Sequence, residues 1–116
     1  MKYISLETIP DQGVSHNGAI RKQVMLQSGD LPHLTQFAQV RFESGQVAAA
    51  HHHTDMHEVF FVESGQGTIT IDGEAHALNP GVCIAVAPGE THEVGNTGST
   101  PLVLAYFGLL QPAANP

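Results

Sequence analysis

The sequence predicts an all-β fold, a sandwich or barrel of antiparallel strands. Short segments rich in Val, Ile, Leu and Phe recur along the 116 residues. Gly, Pro, Asp or Asn interrupts them roughly every eight to twelve residues, the spacing of turns in such folds. No segment reads as a convincing helix.

The elements follow in order. The first twenty or so residues are read as adding a strand to a neighbouring sheet. Residues 21–27 and 35–43 read as strands separated by Ser28-Gly29-Asp30. Ala48-Ala49-Ala50 has helical propensity, but it lies between the Ser44-Gly45 turn and a run of histidines, so strand is expected. Residues 59–63, 68–72, 82–87 and 102–108 are further strands. Asp72-Gly73 joins two alternating segments, and a tight type I′ turn needs positive φ at both positions. The end, 111–116, is expected to fray.

The chain is long enough for one domain and its core, and short for two. Residues 1–116 are therefore read as a single unit, with an N-terminal strand region at 1–30. Four basic residues against eleven acidic leave a net charge of −7, with no basic stripe to neutralise phosphates. Nucleic acid is excluded as a partner on that ground. No apolar run approaches the ~20 residues of a membrane helix, and the N-terminus lacks a signal-peptide core. A cytoplasmic location is expected, without membrane association. One cysteine, Cys83, rules out an internal disulfide. Long apolar segments and unpaired edges point to a homodimer.

Chemistry concentrates in two stretches, 51–58 and 88–92. In a strand, His51 and His53 share a face, and His52 faces away. Two imidazoles so placed, with a carboxylate close by, can surround a divalent cation. A solvated His-rich loop is the plainer alternative. If the strand ran on unbroken, Asp55 and His57 would join that face. If the chain turns at Thr54-Asp55, the alternation resets. Period-2 reasoning then leaves His57 and Glu58 as rival ligands. His92 follows the Pro88-Gly89 turn, which could deliver it to a pocket mouth. Three imidazoles and one carboxylate suit Fe, Mn, Ni, Co, Cu or Zn as one divalent transition metal per chain. A four-coordinate zinc would leave no open position and would be structural.

These stretches resemble the two sequence motifs of the cupin superfamily. Gly45, five residues, His51, one residue, His53, four residues, Glu58, six residues and Gly65 match the first motif throughout. Gly81, five residues, Ala87, Pro88, Gly89, two residues, His92, three residues and Asn96 match the second, with Ala87 where proline is usual. The resemblance covers about 35–108. It implies a double-stranded β-helix, a jelly-roll barrel of two antiparallel sheets. It also implies that His51, His53, Glu58 and His92 are the metal ligands, with His57 beside the site.

Other residues are assigned around this site. Phe60 and Val62 share the face of Glu58 and are expected to line the barrel. His33 precedes a long strand, where it could shuttle protons near the pocket. Phe37, Phe42, Phe61, Tyr106, Phe107, Met25 and Cys83 are expected in the core, with one or two of the aromatics within reach of a ligand. Glu93 is read as facing solvent. The pocket reads as apolar, with few charges. A small organic molecule bearing a carbonyl, enol or carboxylate is the expected ligand. The resemblance does not give the reaction, since similar proteins include enzymes, binding modules and storage proteins. The complete four-ligand set favours a small metalloenzyme of dioxygenase, isomerase or lyase type. A non-catalytic metabolite-binding or sensing module is the alternative.

Overall fold

The computed structural model describes residues 1–112. Among these, a three-residue 3-10 turn, Leu6–Thr8, precedes ten strands. They are β1 (Gln12–Val14), β2 (Asn17–Gln27), β3 (Leu34–Phe42), β4 (Val47–His51) and β5 (Met56–Ser64), then β6 (Gly67–Ile71), β7 (Glu74–Leu78), β8 (Cys83–Val86), β9 (His92–Gly95) and β10 (Leu102–Leu110). No helix among the described residues is long and apolar enough to cross a membrane.

The strands form two antiparallel sheets. One has six strands in the order β1-β2-β3-β10-β5-β8, and the other has four in the order β4-β9-β6-β7. The chain passes from the large sheet to the small one between β3 and β4, between β5 and β6, and again between β8 and β9. That wrapping makes a jelly roll.

Alternation puts one face of each strand in the core. On β10, Leu102, Leu104 and Tyr106 point inward and are buried. Leu104 sits between Val40 of β3 and Val62 of β5, both also buried. Each such fully buried aliphatic side chain contributes about 1.5–3 kcal/mol. Ile69, Leu78 and Val94 close the core from the small sheet.

Turn chemistry fixes the register. Asp72 and Gly73 have φ of 48° and 84°, so the β6–β7 hairpin turns as expected. Gly65 has φ of 82°, and a Cβ there would run into the Pro101 carbonyl oxygen. Only glycine fits at that position.

The N-terminal hairpin extends the chain's own large sheet. β1 pairs with β2, which begins four residues before the segment expected. Arg21 on β2 ties it to Asp11 at 2.7 Å. At the other end, the Gln111 N–H donates to Asp55 O at 2.7 Å, while residues 113–116 of the tail expected to fray lie outside the described residues.

Several expected core residues are elsewhere. Phe61 is 46% exposed, because its neighbours Phe60 and Val62 take the inward positions of β5. Cys83 pairs with Phe61 on the outer face of an edge strand and is exposed. Phe37 and Phe107 stack edge-on, half-buried, on that same outer face. Met25 is half-buried beside a bulge in β2. An apolar residue on an outer face cannot be told from a core residue by its type alone.

Candidate metal centre

Four side chains from three strands and one turn converge at the barrel interior. β4 ends at His51, which pairs in register with His92, the first residue of β9. The Pro88-Gly89 turn delivers His92 there, and the Gly89 N–H donates to His53 O at 2.7 Å. That bond ties the two motif loops together. The chain bends at Thr54-Asp55 and restarts as β5, so the alternation resets. Glu58 then faces inward and His57 outward.

His53 does not share a strand with His51, as period-2 reasoning had it, because β4 stops at His51. The loop still returns it to the same place. The His51 and His53 rings lie 5.2 Å apart, and the His51 and His92 rings 4.3 Å. One donor atom from each of His51, His53, Glu58 and His92 lies within 4.8 Å of the others.

Burial is graded across the cluster. His92 is 1% exposed and Glu58 8%, whereas His53 is half-buried and His51 exposed. The cluster thus has a dry floor and an open side. Glu58 Oε1 lies 3.0 Å from His92 Nε2 and 3.4 Å from His53 Nε2. Burial pulls the His92 imidazole pKa down, but the Glu58 and Glu90 hydrogen bonds and the two carboxylates outweigh it and raise it above the ordinary value.

Hydrogen bonds to the far ring nitrogens set the tautomers. His51 Nδ1 donates to Ala49 O at 2.9 Å, and His92 Nδ1 donates to Glu90 O at 3.3 Å. A carbonyl only accepts, so both Nδ1 atoms carry hydrogens and both Nε2 lone pairs are left for the cluster. In neutral His92, an Nε2 lone pair would face the Glu58 carboxylate at 3.0 Å, two electron-rich atoms in contact. A shared positive charge, either a proton or a metal cation, resolves that conflict. The donor set therefore fits a divalent transition metal.

The remaining expected residues divide. Phe60 is buried with its ring 6.0 Å from that of His92, so it forms a wall of the site. Val62 is buried one alternation further along, in the core. His57 is exposed on the outer face of β5, and the fold does not bring it to the cluster. His33 is an exposed turn residue with φ of 65°, and its carbonyl accepts from the Leu110 N–H. His52 is exposed, and Glu93 pairs with Thr70 across from Ile71–His92. Glu90 accepts from the Ala87 N–H at 2.7 Å and so braces the turn that carries His92.

Three further residues bear on the site. Asn96, the last residue of the second motif, is 3% exposed and pins a loop through Phe42 O, Thr100 O and the Gly98 N–H. Tyr106 stacks on Phe60 at 5.7 Å. Burial, reinforced by the Glu58 charge, pushes its phenol pKa up to about 12. Lys22 points into the barrel and donates to Gln36 Oε1 at 3.0 Å, so the interior is not the purely apolar one expected. A separate open groove of about 560 Å³, lined by Ile71, Val82 and Ile84 among others, includes none of the four converging residues.

Comparison with known proteins bears on this arrangement. The chain superposes on a predicted oxalate decarboxylase from Thermotoga maritima with a TM-score of 0.88 at 20% identity, covering 95% of this chain and 100% of that one. A sugar phosphate isomerase of the cupin superfamily from Silicibacter pomeroyi gives 0.80 at 21% identity, covering 96% and 77%. The polyketide cyclase RemF from Streptomyces resistomycificus gives 0.80 at 16%, covering 99% and 84%. At these identities the likeness is one of fold. An uncharacterized protein of Methanocaldococcus jannaschii is 29% identical over 58 residues, 50% of this chain, and the chain spans 46% of that relative's length. The family model for the cupin domain matches residues 38–108, which hold both motifs and all four converging side chains, so the chain belongs to the cupin family.

Proposed function

We propose that His51, His53, Glu58 and His92 hold one divalent transition metal, and that the protein is a small metalloenzyme of dioxygenase, isomerase or lyase type acting on a small organic substrate. The convergence of four donor atoms within 4.8 Å carries this reading. The exposed side at His51 supports access by a small molecule. The names of the structural neighbours, a predicted decarboxylase, an isomerase and a cyclase, support catalysis over passive binding.

A bound metal would supply Lewis-acid polarisation of a substrate oxygen. The chain's own residues do the rest. Ala49 O and Glu90 O orient the His51 and His92 rings through Nδ1. Phe60 and Tyr106 make a stacked wall that excludes water from the floor of the site. The Tyr106 phenol, held protonated by burial, keeps an O–H to donate to a substrate oxygen.

The outer face of the large sheet exposes Phe61 and Leu109 beside half-buried Phe37 and Phe107, which supports a homodimer.

The test is elemental analysis of untagged protein. About one metal ion per chain is expected, lost in Glu58→Ala and kept in His57→Ala. Unchanged metal content in a His51→Ala/His53→Ala double variant would sink the assignment. Turnover that a chelator abolishes and a metal restores supports the enzyme. Saturable ligand binding without turnover would replace it with the binding module.

A further inference from the structure

The chain has four basic residues, and three of them are neutralised at the surface. Lys2 pairs with Asp30 at 2.6 Å, Arg21 with Asp11 at 2.7 Å, and Arg41 with Glu43 at 2.9 Å. Among the described residues, Lys22 alone has no carboxylate within ion-pair distance, in a chain of net charge −7.

Its place in the fold is specific. Lys22 lies between Ile20 and Val24 on the inward face of β2 and pairs with the buried core residue Val40. The side chain therefore enters the barrel. It runs past Ala38, whose small side chain leaves room, and reaches Gln36 two positions along β3. The next row across the sheet is Gly108 and Glu58. Gly108 itself carries no side chain, and the space its Cβ would fill is taken by the Thr35 hydroxyl.

Gln36 Oε1 accepts one of the three ammonium N–H bonds at 3.0 Å, and no other protein acceptor among the described residues takes the remaining two. Burial lowers the lysine's pKa and the Glu58 charge opposes that, so the ammonium feels the cluster carboxylate. The Lys22 side chain is half-buried rather than fully enclosed. A cation carried into a barrel is costly unless an anion meets it.

We propose that Lys22, steadied by Gln36, is the anchor for a carboxylate of the ligand, so that the substrate class is a small organic acid gripped between this ammonium and the His51/His53/Glu58/His92 cluster. Phe60 and Tyr106, stacked in the row between Lys22 and Glu58, form the wall along which such an acid lies. This rests on the reading of the barrel interior as the ligand site. It adds which charge that ligand carries and which residue selects it.

The experiment titrates oxalate, malonate and succinate, with their neutral diamides, into cobalt-loaded and metal-free protein by calorimetry. At least one acid is expected to saturate the wild type. Lys22→Met and Lys22→Gln should weaken it by about tenfold or more, the worth of a charge-assisted hydrogen bond. The diamides should not distinguish the variants from wild type. Cobalt content, read from its absorption and by elemental analysis, should be unchanged in both variants. If cobalt does not bind even the wild type, the metal reading falls, and the Lys22 dependence of acid binding to the metal-free protein still decides this one. Equal acid affinity in wild type and in a folded Lys22 variant overturns the proposal. So does the absence of saturable binding by all three acids.

Discussion

The His92 imidazole meets the Glu58 carboxylate at 3.0 Å, on the driest floor of the barrel, while its other nitrogen donates to a backbone carbonyl. Without a metal, a second ring proton completes that contact. The folded pKa of His92 is thus raised above its usual 6.5. A raised value means stability that is fully present below 6.5 and lost as pH rises through the folded value. Metal-free protein should therefore melt at a higher temperature near pH 6 than near pH 8, by roughly the few degrees a kcal/mol is worth. Metal must displace the same proton, so its affinity should rise over the same interval, with proton release visible in calorimetry across buffers. Metal affinity that is flat with pH would contradict the arrangement.

Tyr106 sets a second pH dependence at the alkaline end. Burial first, then the Glu58 charge, moves its pKa from 10.0 to about 12. The unfolded chain ionises this phenol and the folded chain resists. The contribution is thus complete below pH 10 and lost between 10 and about 12. Two units correspond to about 2–3 kcal/mol. Urea unfolding from pH 9 to 12 should show this decline in the wild type and not in Tyr106→Phe. Parallel curves would contradict the assignment.

Leu104 joins β3 and β5 across β10 and is fully buried. Leu104→Ala should cost about 3 kcal/mol, from lost transfer energy and the cavity left behind. Chemical denaturation measures it directly. A cost under about 1 kcal/mol would show that the barrel collapses onto the gap.

Asn96 tests the difference between a motif residue that builds and one that acts. Its side chain makes three hydrogen bonds, to Phe42 O, Thr100 O and the Gly98 N–H, while buried. Asn96→Ala strands those partners and should cost about 2–3 kcal/mol. Elemental analysis of the folded variant should find its metal content unchanged. Loss of metal without loss of stability would place Asn96 in the site instead.

Much of this protein was legible in its residues. Alternating Val, Ile and Leu between turn residues specified the strands, because period-2 patterning and positive-φ turns are local physics. Asp72-Gly73 fixed its hairpin in that way. The two motifs picked out His51, His53, Glu58 and His92, which the fold brings together, because His and Glu at matched spacing are readable from one chain.

What only the tertiary structure decided is which side chains meet. Whether His57 or Glu58 faces the cluster turned on where β4 stops and the chain bends, which alternation alone leaves open. Phe61 and Cys83 look like core residues by type, yet they sit outside because Phe60 and Ile84 take the inward positions. Lys22 gave no local signal at all: it lies twenty-nine positions before His51, in a strand whose partner register sets which face is the interior. Whether a lysine faces water or the barrel interior depends on a pairing between distant strands, and that pairing exists only once the sheets have closed.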